Sequence, residues 1–121
     1  MLQVESYVPL NEFERQVFAR MVPTEHFLLR LGRTIDFERF RPTLAQYYAP
    51  REGRPALDPV MMLKLDYLSM HHRWSDRELM QHAQVNVALR LFLDLGSEAV
   101  LPHPTSMTYF RERLRIRWRI T

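Results

Sequence analysis

The residues best suited to chemistry lie in the run HPTSMTYFRERLR at positions 103–115. Hydroxyl side chains come first and arginines follow. The free backbone N–H groups of a helix start and several guanidinium groups would therefore face the same ligand. Both kinds of group bind phosphate, and arginine also pairs with guanine edges in the major groove. The run predicts contact with DNA through Thr105, Ser106, Thr108, Tyr109, Arg111, Arg113 and Arg115.

The positive charge is concentrated in the same part of the chain. Residues 105–121 hold five arginines and one glutamate, whereas the whole chain of 121 residues carries a formal net charge of +3. A local excess of this kind is typical of a binding edge, but a basic chain end can also simply be solvated. Charge alone leaves both interpretations open.

Other kinds of site find little support in the sequence. Cysteine is absent and no two histidines have the i, i+4 spacing of a zinc site on a helix, so no bound metal or cofactor is expected. Asp66 is the one acid amid an apolar helical segment. We expect it either on a polar strip with Lys64 and Ser69 or paired with a nearby arginine. No signal peptide or membrane span is visible, and we expect a cytoplasmic protein without a membrane partner.

The elements that must position these residues are helical. Asp58-Pro59 is a strong helix start, and the apolar segment after it covers nearly the whole helix circumference, which predicts a buried central helix to about His72. The other helices are predicted to begin at Asn11, Thr24, near Pro42, Ser75, Asn86 and Thr105. The helix from Thr24 is expected to end at Gly32, and the helix from Asn86 at Gly96. The predicted core residues are Phe13, Val17 and Met21 in the first helix and Met107, Phe110 and Leu114 in the last.

These starts predict an all-α fold of about six short helices around the central one, with a helix-turn-helix-like C-terminal half. We divide the chain into an N-terminal helical segment (1–52), a helical DNA-binding region (53–115) and a divergent tail (116–121), which together form one compact domain. The boundary at 52 falls in the Pro- and Gly-containing linker APREGRP. The tail alternates arginine with apolar residues, which is a strand period and conflicts with the helix before it.

Four elements in order resemble the N-terminal domain of insertion-sequence DDE transposases of the InsH-like group. They are GRPALDP at 53–59, SDREL at 75–79, FLDL at 92–95 and TSMTYFRERL at 105–114, and the resemblance covers about residues 35–114. It implies binding to the terminal inverted repeats of the element, with Arg54, Arg73 and Arg77 assisting the last helix. The GRP element is similar to minor-groove hooks, but we favour an ordinary Pro-bounded linker, because Glu52 stands where such hooks carry another basic residue.

The resemblance also implies where catalysis takes place. In this family the catalytic acids, with their divalent metal, belong to a ribonuclease-H-like domain downstream of this region. We therefore expect no catalytic residue here, and we expect the tail to be truncated or out-of-frame sequence. The alternative is a protein–protein module that forms a homodimer or packs on the catalytic domain of full-length transposase, or else a non-functional truncated remnant. Its evidence is the apolar central helix and the residues Ile116, Trp118 and Ile120.

Overall fold

The structure, a computed structural model, describes residues 7–47 and 57–120, with side chains described as far as residue 115. All regular secondary structure in these ranges is helical, which confirms the predicted all-α fold. Seven α-helices are described, against about six predicted. They are α1 (Glu12–Met21), α2 (Phe27–Thr34), α3 (Arg41–Tyr47), α4 (Pro59–His72), α5 (Asp76–Val85), α6 (Val87–Leu93) and α7 (Pro104–Ile120), with a 3₁₀ turn (Phe37–Phe40) before α3.

Helix α4 is the centre of the fold, as the sequence predicts. The Asp58 carboxylate accepts the N–H of Met61 at 3.0 Å, and Pro59 occupies the first turn, where no N–H is needed. Helices α3, α5, α6 and α7 all pack against α4. Its side chains Met62, Leu65 and Leu68 are fully buried. These side chains of the central helix are therefore covered by its own chain, whereas Met70 near its end is exposed.

The two short helices after α4 begin where their caps predict. Ser75 and Glu78 form a capping box at the start of α5, and Asn86 accepts the N–H of Leu89 at the start of α6. Helix α6 ends earlier than predicted, because Asp94 takes a left-handed backbone conformation (φ 57°) two residues before Gly96. The buried Arg90 fastens this region, since its guanidinium donates to the carbonyls of Gln84 and Gly96.

Helix α1 packs in a way that the sequence did not predict. Its capping box at Asn11 is present, but Phe13 and Met21 of the expected core stripe are 74% and 61% exposed. Polar contacts on the other side of the helix decide its position. The Glu14 carboxylate accepts the N–H of Ser97 at 2.8 Å, and Arg15 forms an ion pair with Asp94 at 2.9 Å. A hydrogen bond with the side chain of Ser97, followed by those from the backbone N–H groups of Asn11 and Ser97, lowers the pKa of Glu14.

Two further helices differ from the sequence predictions at their ends. Helix α2 is capped by His26, whose Nδ1 accepts the N–H of Leu28 at 3.1 Å, and not by Thr24, which lies in a preceding turn. It also continues through Gly32 to Thr34. Helix α7 extends to Ile120, so the strand period predicted for the tail is wrong. Once a helix has formed, each further residue adds a hydrogen bond, and arginine is a good helix former. A few residues that alternate between arginine and apolar side chains therefore do not end the helix.

Gly32 and Gly96, the two glycines whose surroundings the structure describes, are expected to respond in opposite ways to substitution by alanine. A Cβ at Gly96 would lie 2.7 Å from the carbonyl oxygen of Pro9, whereas a Cβ at Gly32 has Phe92 as its nearest neighbour at 4.0 Å. We expect Gly96→Ala to lower the free energy of unfolding by about 1–3 kcal/mol because the backbone must move. We expect Gly32→Ala, inside α2, to raise it by up to about 1 kcal/mol.

Urea denaturation of the two variants beside the wild type measures both effects. An unchanged midpoint for Gly96→Ala would show that the chain around Pro9 does not lie against Gly96 in solution. Gly32→Ala serves as the matched control for the substitution itself.

Candidate nucleic-acid interface

The start of α7 is capped by a residue that sequence reasoning missed. Thr105 is the second residue of the helix, and His103 precedes it. The Nδ1 atom of His103 accepts the N–H of Thr105 at 3.2 Å, and the His103 carbonyl accepts the N–H of Ser106 at 2.8 Å. Thr105 is therefore not the cap. Two of the N–H groups that a phosphate would use at this helix start already have acceptors, which weakens the predicted anion site.

The core face of α7 is as predicted and fixes the direction of its other side chains. Met107 and Phe110 are fully buried, and Leu114 packs against the same core. On the opposite side, a shallow cleft of about 220 Å³ is lined by Thr108, Arg111, Glu112 and Arg115. Three predicted DNA-binding residues thus lie together, but the carboxylate of Glu112 shares the cleft and would repel a phosphate.

Arg111 is engaged inside the protein. Its Nε donates to Asp66 of α4 at 2.6 Å, and its two terminal nitrogens donate to the two oxygens of Asp76 of α5 at 3.0 and 2.9 Å. The second contact is a bidentate pair, the strongest geometry for arginine and carboxylate. Hydrogen bonds to the two aspartates raise the pKa of Arg111, although its partial burial acts in the opposite direction. A single guanidinium thus joins three helices.

The environment of Asp66 follows from this arrangement. Pairing with a nearby arginine was one of the two predicted alternatives, and it is confirmed. The polar strip is present only in part: Ser69 lies 3.4 Å from Arg111, but Lys64 turns away and donates to the carbonyl of Phe92 at 2.9 Å. Asp76, by contrast, gave no sequence signal beyond its place in the first turn of a capped helix.

Arg113 and Tyr109 form a pair along α7. The guanidinium carbon of Arg113 lies 4.9 Å from the centre of the Tyr109 ring, and Nε of Arg113 donates to the tyrosine hydroxyl at 3.0 Å. Tyr109 is half-buried and packs against the core, so its ring is only partly accessible for the DNA contact that the sequence predicts. This leaves Arg115 as the arginine of 111–115 that is exposed.

The corner between α4 and α5 carries the two other described candidates. Arg73 ends α4 in a left-handed conformation (φ 57°), and Arg77 lies in the first turn of α5; both are exposed. Between them, the Trp74 ring is stacked between His72 at 4.2 Å and His82 at 3.9 Å, which ties α5 to the end of α4. Arg54, the remaining candidate, lies outside the described residues.

Within the described ranges, no group of three or more histidine, aspartate or glutamate side chains has the arrangement of a metal site. No helix there is long and apolar enough to cross a membrane.

Residues 16–113 match the family described as Transposase domain (DUF772). The chain belongs to this family. The matched region begins within α1 and ends within α7, so it includes the three helices that Arg111 joins. No curated protein and no solved structure matches the chain.

The Arg111 contacts predict a structural effect of substitution in this transposase domain. Arg111→Ala would leave Asp66 and Asp76 without their shared cation, and we expect the free energy of unfolding to fall by about 1–2 kcal/mol. Adding Asp66→Asn to Arg111→Ala removes one uncompensated charge and is expected to recover part of that loss. Arg115→Ala, one turn along α7, is the matched control and is expected to change stability by less than about 0.5 kcal/mol.

Denaturation of the single and double variants measures these differences. Arg111→Ala could instead keep the full free energy of unfolding, with no further change on adding Asp66→Asn. The ion pairs of Arg111 would then contribute nothing to stability, and Arg111 would again be a candidate for DNA contact.

Proposed function

We propose that this transposase domain binds duplex DNA at the terminal inverted repeats of an insertion element and positions the transposase there for transposition. The observation that supports this most directly is the pair of exposed arginines at the α4–α5 corner, Arg73 and Arg77. Among the described residues, neither guanidinium has a hydrogen-bonded or ion-paired partner. Arg77 lies between two acids in the sequence: Asp76, which is neutralised by Arg111, and Glu78, which accepts the N–H of Ser75.

The electrostatics of the corner favour a phosphate ligand. Arginine side chains bind phosphate oxygens with charge-assisted hydrogen bonds, and these contacts set the register of a protein on DNA without selecting sequence. Phosphate contacts also come from exposed positions of α7, namely Thr105, Thr108 and Arg115. Arg111 and Arg113 stabilise the domain instead, through the contacts they make inside it.

A narrower family assignment is part of the proposal. The order of GRPALDP, SDREL, FLDL and TSMTYFRERL supports a relation to the InsH-like DDE transposases. In such a protein, the acids that cut DNA and the divalent metal they hold would belong to a separate catalytic domain. We therefore assign no catalytic residue to this domain and propose that its contribution is to place the transposase on its DNA.

Substitution of the corner arginines tests DNA binding. The probe is a fluorescent duplex carrying the terminal inverted repeat, with a scrambled duplex of equal length beside it. We expect Arg73→Ala and Arg77→Ala to weaken binding to both duplexes and to lower the slope of log K against log salt by about 1 for each lost phosphate contact. Arg20→Ala, an exposed arginine on α1, is the control and should leave the slope unchanged.

Fluorescence anisotropy at several salt concentrations gives the slopes. Equal and negligible binding of the wild type to both duplexes at low salt would contradict the proposed function.

A second candidate function is self-association, and the exposed apolar side chains of α1 favour it. Phe13 and Met21 lie eight residues apart on one side of the helix, are 74% and 61% exposed, and have the half-buried Val17 between them. An apolar stripe of this kind fits the same stripe of a second copy packed around a twofold axis. The side chains of Ile116, Trp118 and Ile120, which the sequence also offers for such an interface, lie outside the described residues.

Sedimentation velocity distinguishes the two candidates. If α1 forms a dimer interface, Phe13→Ser combined with Met21→Ser shifts a dimer to a monomer, because it removes the buried apolar surface. Met70→Ser, at a 66% exposed position on α4, is the control. A wild-type protein that is monomeric at high concentration would exclude this candidate.

A further inference from the structure

The solvent face of α5 carries a row of amide side chains. Leu79, Met80 and Ala83 turn one side of this helix into the core. On the opposite side, Gln81 and Gln84 are exposed and follow Arg77 at i+4 and i+7, so the three lie along one line of the helix surface. A polar stripe that begins with arginine and continues with glutamine is unlike the acidic and basic mixture of an ordinary solvated helix.

The side chains of this stripe are available for a ligand. In the part of the chain that the structure describes, neither glutamine side chain has a hydrogen-bond partner, and Arg90 takes the backbone carbonyl of Gln84 without using its amide. Of the two acids of α5, Asp76 pairs with Arg111, whereas Glu78 accepts the N–H of Ser75 at 3.3 Å and is itself exposed three residues before Gln81.

The adjacent Val85 adds an apolar element to the same surface. Its side chain is 78% exposed, at the end of α5 and beside Gln81 on the helix surface. Glutamine pairs in a bidentate way with the N6 and N7 atoms of adenine, and small apolar side chains contact the methyl group of thymine in the major groove. Amides next to an exposed apolar group therefore match the chemistry of A·T base pairs.

We propose that α5, and not α7, enters the major groove and contacts A·T base pairs through Gln81 and Gln84, with Val85 against thymine methyl groups. This inference rests on the proposed function and adds the source of its sequence preference. Arg73 and Arg77 hold the flanking phosphates. Helix α7 supports α5 from behind, because its Arg111 is bound to Asp76 at the start of α5.

The dimensions agree with this arrangement. A helix with its side chains is about 10–12 Å across, and the major groove is about 12 Å wide. Three residues of helix rise correspond to about 4.5 Å, close to the spacing of about 3.4 Å between neighbouring base pairs. Gln81 and Gln84 would therefore address neighbouring base pairs. The stacking of His82 on Trp74 fixes the rotation of α5, so the glutamines keep their direction.

Selection from a randomised duplex library tests the inference, because such a library assumes no target sequence. Wild-type protein is expected to enrich a site with adjacent A·T pairs. Binding is then compared between that site and a scrambled duplex. Gln81→Ala and Gln84→Ala are each expected to lower the affinity ratio between the two duplexes by roughly tenfold, as for the loss of a bidentate base contact, while affinity for the scrambled duplex stays within about twofold. Gln46→Ala, an exposed glutamine on α3, is the matched control.

A modified base gives a second measurement. Replacement of the contacted adenines by 7-deazaadenine removes the N7 acceptor and retains base pairing. This change is expected to weaken wild-type binding but to have little further effect on the Gln81→Ala/Gln84→Ala double variant.

The outcomes separate this inference from the proposed function. Salt-dependent binding by the wild type that enriches no sequence, or glutamine variants that keep the full affinity ratio, would overturn the role of α5 and leave DNA binding intact. Failure of the wild type to bind any duplex at low salt would overturn both. Loss of the ratio in Arg115→Ala, but not in the glutamine variants, would assign base contact to α7 instead.

Discussion

The ion pairs of Arg111 with Asp66 and Asp76 are the interaction on which the arrangement of the C-terminal helices depends. Apolar packing alone would hold α7 against α4, because Met107 and Phe110 are fully buried there. Such packing is non-directional, however, and it leaves the rotation and register of neighbouring helices weakly determined. A bidentate guanidinium contact has a required direction, so it fixes the start of α5 relative to both α4 and α7.

The same contact also determines the charge that the domain presents to a partner. Asp76 lies between Arg73 and Arg77 in sequence, and an unpaired carboxylate there would cancel much of their attraction for phosphate. The half-buried Arg111 of α7 neutralises this carboxylate, so the two exposed arginines of the α4–α5 corner keep their positive charge. In the proposed function, Arg111 would thus support the DNA-binding surface through a contact inside the domain.

Much of the fold was predictable, because its signals are local. The capping boxes at Asn11 and Ser75 and the Asp58-Pro59 start each depend on a few neighbouring residues, and all three are confirmed. The exposed Phe13 and Met21 were not predictable, since the position of α1 is decided by contacts of Glu14 and Arg15 with residues about eighty positions away. For the same reason, sequence spacing placed Arg111 on the right helix but could not show that Asp76 would occupy its guanidinium.

The stacking of Trp74 between two imidazole rings has a practical consequence. Both faces of the indole are covered, by His72 from α4 and by His82 from α5, at 4.2 and 3.9 Å. The emission of an indole depends on its exposure to water and on the groups that touch its faces. Trp74 is therefore a built-in fluorescent probe at the junction of these helices, and displacement of α5 from α4 can be followed without an attached label in a variant whose other tryptophan, Trp118, is replaced by phenylalanine.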